Sequence, residues 1–215
     1  MGLTHNLLAP FATETAALAE NLAHSVVWVH GGHGHGAGVI WQSDGLIMTN
    51  DHVVARDRVT VELEEGRRLA ATVIARNPDY DLAALHVAES NLPAAPIGDA
   101  KVLRVGELIM AVGHPFGVKS TATLGIVSAV GGATWLGSGR NSGRRFAASA
   151  TPKREWLQAD VALAPGNSGG PLADTSGRVV GIASMILSPG IALAVPSHIV
   201  SRFVAALPRV QKLAA

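Results

Sequence analysis

Cysteine is absent from all 215 residues, which excludes disulfides, cysteine nucleophiles and thiolate metal sites together and leaves the redox compartment open. Charge of one sign is lacking too: 17 Lys and Arg stand against 16 Asp and Glu, and a net +1 is too small to specify a nucleic-acid or membrane partner. The N-terminal stretch MGLTHNLLAPFATETAALAENLAHS has neither the basic-then-apolar order of a signal peptide nor a run long enough to span a bilayer. The chain therefore reads as cytoplasmic as written, or as periplasmic or secreted if a leader has been removed. With 48% apolar and only 15% charged residues, disorder is excluded, and the length allows one large domain or two small ones with a sizeable core.

What is present is a long series of short apolar segments. Ala12 to Ala23 carries Ala, Leu and Glu at helical spacing, with Thr13 or Thr15 as a candidate cap. From Ser25 the texture changes to SVVWVH, AGVIWQS, GLIMTN, VTVELEE, RLAATVIA, DLAALHV, ELIMAVG, TLGIVSAV, WLQADVAL, VVGIASMI and IALAVP, separated by glycine and polar turns. Such spacing indicates an all-β sandwich or a pair of barrels. The two strand-rich halves meet near Ala95 to Lys101, and SHIVSRFVAAL reads as a C-terminal helix with Ser197 as candidate N-cap. Gly131 to Arg154 is rich in Gly, Ser and Arg and reads as a long solvated loop, because no stacking aromatics interleave its basic residues.

Ser168 sits in APGNSGGPL, where three glycines and two prolines surround one hydroxyl. A serine hydroxyl is a poor nucleophile at neutral pH and needs a histidine to take its proton, with a third group fixing the imidazole. His52, after the apolar run GLIMTND, is held where a strand meets a turn. Asp81 stands where a loop becomes the strand LAALHV, so its carboxylate is available for a charge-assisted hydrogen bond. Asp79 reads as a turn residue, and Asp51 points away from its neighbour His52.

TNDHVV, DLAAL and GNSGGPL, in the order His, Asp, Ser, resemble the chymotrypsin-like serine proteases and most closely their HtrA/Deg branch, with AVGHPFG, TLGIVSAV and GRVVGIAS similar in order and spacing. The resemblance implies two six-stranded antiparallel β-barrels, the first over 25–98 carrying His52 and Asp81 and the second over 99–196 carrying Ser168. A helical arm over 1–24 and a helix and tail over 197–215 complete that expectation. It further implies His52 as general base and acid, Asp81 as its orienter and Ser168 as nucleophile. An oxyanion hole at Gly166, Asn167 and Ser168 follows, with the N–H groups of Gly166 and Ser168 as donors.

Ala162 stands where trypsin-like enzymes carry an acidic residue, which disfavours cleavage after Lys or Arg. Ala164 replaces the threonine of glutamate-specific relatives. Ala162, Leu163, Ala164, Ala183, Ser184 and Met185 are then expected to line a small apolar pocket. Asn167 replaces the aspartate of zymogen-type relatives, so loop ordering is the expected control. No cofactor is implied. The implied partners are unfolded or flexible polypeptides and a homotrimer through Leu7, Leu8 and Phe11, and the chain leaves no room for a PDZ domain after Ala215.

Two other classes compete. A catalytically silent protease-fold chaperone would keep the same motifs, and VHGGHGHGAGV offers His30, His33 and His35 to a metal or an anion. No carboxylate nearby completes a metal site and a strand follows instead of a helix, so this segment reads as a loop. His114 in AVGHPFG, where the family more often has Asn, Ser or Tyr, reads as a loop histidine without a catalytic role.

Overall fold

A computed structural model describes residues 8–32, 34–133, 154–188 and 190–207. Helix α1 (Leu8–Ala23) precedes strands β1 (Val26–His30), β2 (His35–Gln42), β3 (Leu46–Thr49), β4 (Arg58–Glu62), β5 (Arg68–Asn77) and β6 (Leu82–Val87). These close into an antiparallel barrel in the order β1-β2-β3-β6-β5-β4. Strands β7 (Leu108–Gly113), β8 (Thr121–Ala133), β9 (Arg154–Asp160), β10 (Pro171–Ala173), β11 (Val179–Ser188) and β12 (Ile191–Pro196) form a second closed barrel, and helix α2 (Ser197–Ala205) follows. The chain is thus the all-β, double-barrel protein with two flanking helices that the resemblance implied.

Side chains on a strand alternate between faces, and here both faces of several strands are covered. On β3, Ile47 fills the first barrel's interior while Leu46 and Met48 point into the seam between barrels. On β7, Ile109 and Ala111 fill the second interior while Met110 and Val112 face the same seam. This double burial explains why the segments read as continuous apolar runs instead of alternating ones. The seam core also takes Leu22 of α1 and Ile199 and Val200 of α2, which ties both helices to it.

Some local expectations are corrected. Helix α1 starts at Leu8, and Thr13 and Thr15 lie inside it, each donating its hydroxyl to the carbonyl four residues back instead of capping. Pro196 is the N-cap of α2, and the buried Ser197 hydroxyl accepts from the Ala100 N–H across the domain. The strand that the apolar pattern does not disclose is β10, only three residues long and wholly buried, so it has no alternation to display. Of the expected loop from Gly131 to Arg154, the first residues extend β8 and Arg154 opens β9, while 134–153 lie outside the described residues.

Candidate active site

His52 lies in a short 3-10 turn, Asp51–Val53, directly after β3. The turn is closed by Val54 N–H donating to Asp51 O at 3.1 Å. Arg76 of β5 grips it from outside, donating to Asp51 Oδ1 at 2.7 Å and to Val54 O at 2.8 Å. Asp51 thus faces Arg76, away from the imidazole.

Asp81 occupies the left-handed region, with φ +53, which Asp tolerates better than most residues because its short polar side chain bonds locally. Its carbonyl accepts the Asn50 side-chain amide at 2.9 Å and the Asp51 N–H at 3.2 Å. Its carboxylate receives the His52 N–H on Oδ1 at 3.0 Å and the His52 Nδ1–H on Oδ2 at 2.7 Å. The hydrogen bond to Asp81 raises the His52 pKa above 6.5, outweighing burial, with the charges of Asp81 and Asp51 adding to it. With Nδ1–H committed to Asp81, the neutral ring presents Nε2 as a proton acceptor.

Ser168 comes from the second barrel, on the turn between β9 and β10. Its hydroxyl donates to Ser184 O at 3.4 Å, and among the described residues no hydrogen bond joins it to His52. The link between the barrels runs instead through Ser184, whose buried hydroxyl donates to Asp81 Oδ2 at 2.6 Å. A serine–imidazole bond in a resting site is often long or misaligned and tightens when substrate engages.

The Ser168 turn is fastened by backbone. Gly169 N–H donates to Ala183 O at 2.8 Å, Ala37 N–H of the first barrel donates to Ser168 O at 2.7 Å, and His114 N–H donates to Gly166 O at 3.3 Å. Gly166 and Gly169 have φ of +110 and +87; a methyl group at 166 would lie 2.4 Å from His114 O, and one at 169 would lie 2.1 Å from Ala37 O. Only glycine fits either place. Two amides flanking the serine, those of Gly166 and Ser168, have no hydrogen-bond partner among the described residues. The Asn167 N–H, in contrast, donates to Ala164 O at 3.0 Å, so Asn167 belongs to this turn without offering a free donor.

The expected pocket residues separate. Ala162 is exposed and Leu163 and Ala164 are half-buried beside the nucleophile turn, but Ala183 belongs to the second barrel's core. Ser184 is committed to Asp81, and Met185 packs on the seam core. His114 is no ordinary loop residue: it is 1% exposed, and burial, with help from the charge of Lys119, pushes its imidazole down to about 4. Sequence reasoning missed Ser184, Asn50 and Arg76 as supports; Asn50 and Asp51, the two residues before His52, were the available signal. His33 lies outside the described residues, and among those described no group of His, Cys, Asp and Glu is placed to hold a metal ion.

Residues 36–182 match the family model of the trypsin-like peptidase domain. The chain belongs to that family. It is 36% identical over 180 residues to a probable periplasmic DegP-like serine endoprotease of Chlamydia pneumoniae, covering 81% of this chain and 34% of the relative. It is 37% identical over 179 residues to a probable periplasmic Do/HhoA-like serine protease of Haemophilus influenzae, covering 80% and 36%. Among solved structures it is similar to the HtrA-type protease AlgW with a tripeptide, at TM-score 0.77 and 33% identity over 88% of this chain and 62% of that one. A serine endoprotease from Yersinia pestis superposes at TM-score 0.73 with 28% identity, over 88% of this chain and 65% of the other. The chain spans about a third of the length of the curated relatives it matches. Their periplasmic names overturn the cytoplasmic expectation, which rested on a missing leader, and a leader is removed from mature proteins in any case.

Proposed function

We propose that this trypsin-like domain is the catalytic part of a periplasmic serine endopeptidase. His52 Nε2 takes the Ser168 proton as Oγ attacks the scissile carbonyl carbon, and the developing oxyanion lies between the Gly166 and Ser168 amides. The imidazolium, held by Asp81, then gives its proton to the leaving amine, and an acyl-serine remains. Water, deprotonated by the same imidazole, attacks that ester and releases the acid and the free hydroxyl. Each amide donor contributes about 3 kcal/mol at the transition state. The observation that carries the reading is this pair of partnerless amides flanking Ser168, beside an imidazole whose tautomer Asp81 selects.

The substrates proposed are unfolded or flexible polypeptides cut after small aliphatic residues, in keeping with Ala162, Leu163 and Ala164 beside the nucleophile, none of which could hold a buried cation. A homotrimer involving the exposed Phe11 of α1, and a role in protein quality control, belong to the same proposal. A silent chaperone-like binder has one observation in its favour, the Ser168 hydroxyl turned to Ser184 O instead of His52. Labelling by a fluorophosphonate separates the two, since only a competent nucleophile reacts. Ser168→Ala is expected to abolish casein cleavage; full activity in that variant would end the assignment.

A further inference from the structure

The glycine–histidine hairpin and His114 have no part in the triad, yet they converge behind the nucleophile turn. Trp28 of β1 lies against His30, with ring centroids 4.6 Å apart, and meets His35 edge-on at 5.6 Å. Its other contact is His114, stacked at 5.9 Å with the rings 15° apart. Beside them is Glu62, the last residue of β4, whose side chain is 6% exposed. One carboxylate oxygen accepts Arg68 Nε at 2.8 Å, with His30 Nε2 3.5 Å away, and the other accepts the Lys119 ammonium. Hydrogen bonds from Lys119 and then Arg68 hold this carboxylate down at about 2, so it stays charged at any working pH.

The two cations on Glu62 differ in what else they hold. Arg68 belongs to β5 of the same barrel. Lys119 belongs to the second barrel's segment 114–119, whose His114 and Phe116 N–H groups donate to Gly166 O at 3.3 Å and Pro165 O at 3.1 Å. Within that segment Phe116 has φ +53, an unfavourable conformation for an aromatic residue, which persists only where surrounding contacts impose it. The end of the first barrel grips this segment, and the segment grips the residues that aim the oxyanion amides.

We propose that Lys119 and His114 are positioning residues: seated on Glu62 and Trp28, they press segment 114–119 against Pro165 and Gly166 and keep the Gly166 and Ser168 amides convergent. The inference rests on the serine endopeptidase reading. In the full chain, Lys119→Met is expected to lower kcat about tenfold with KM nearly unchanged, and to weaken a peptide aldehyde, which needs the oxyanion donors, by the same factor. Lys119→Arg should restore both. Arg68→Met, which removes the other cation from the same carboxylate, should lower the thermal midpoint and leave kcat as in wild type. If Lys119→Met does not fold, His114→Ala, which keeps the backbone donor and removes the stacked ring, is expected to lose kcat and aldehyde affinity together. Wild-type kcat and aldehyde affinity in the folded variant, or an equal loss in Arg68→Met, would overturn the inference. Failure of the underlying reading looks different: the wild-type protein itself would be inert toward casein and fluorophosphonate.

Discussion

His52 and Asp81, on the first barrel, are held by side chains: Arg76 on the turn, Asn50 on the Asp81 carbonyl and Ser184 on its carboxylate. Ser168, on the second, is held by backbone, with glycines where any side chain would collide and two amides left without partners. The difference suits the roles proposed for the two halves. A base needs one orientation and a tuned proton affinity, which a carboxylate supplies. An oxyanion site needs N–H groups aimed at a charge that exists only in the transition state, and peptide groups in a fixed turn provide them without reorganisation.

The comparison breaks most sharply at the carboxylate. Asp81→Asn should lower kcat about 10⁴-fold with the fold intact, because an amide in that place selects the wrong imidazole tautomer. Since His52 must be neutral to accept a proton and its pKa is raised above the ordinary 6.5, the wild-type rate should rise with pH and level off only past a midpoint higher than that value. Removing the carboxylate should move this limb to lower pH, and a wild-type limb centred below 6.5 would contradict the geometry. The backbone half is tested next by Gly166→Ala, where the added methyl meets His114 O at 2.4 Å. Displacing that amide should lower kcat about 10²-fold to 10³-fold while KM changes little. The smallest effect is expected where the halves touch: Ser184→Ala removes one hydrogen bond to a charged group, and kcat/KM should fall about tenfold. A wild-type value there would mean that the two bonds from His52 are enough to hold Asp81.

Much of this was legible before any coordinates, for reasons visible in single residues. The all-β class announces itself because strands such as β3 and β7 bury both faces, and turns between them demand glycine and polar residues, while the choice of two barrels over a sandwich came from the resemblance. Gly166 and Gly169 are legible because their backbone conformations exclude other residues. The bond from Ser184 to Asp81 was not foreseen: the two are separated by 103 residues, and nothing local marks a serine in an apolar strand as a carboxylate's partner. The burial of His114 was not legible for the same reason, since Trp28, stacked on its ring, comes from the other barrel.

By itself, then, the sequence singled out the residues equipped for the proposed chemistry, because nucleophile, base and carboxylate each need a particular side chain in a particular local setting. It also determined the all-β class, because burial on two faces dictates the run of apolar residues along each strand. The tertiary structure alone decided which amides are left free, that of Asn167 being spent on Ala164 O. It decided too that Ser184 and Lys119 join the barrels at the site. Hydrogen-bond partners distant in sequence depend on how two closed barrels are set against each other, and no local pattern encodes that.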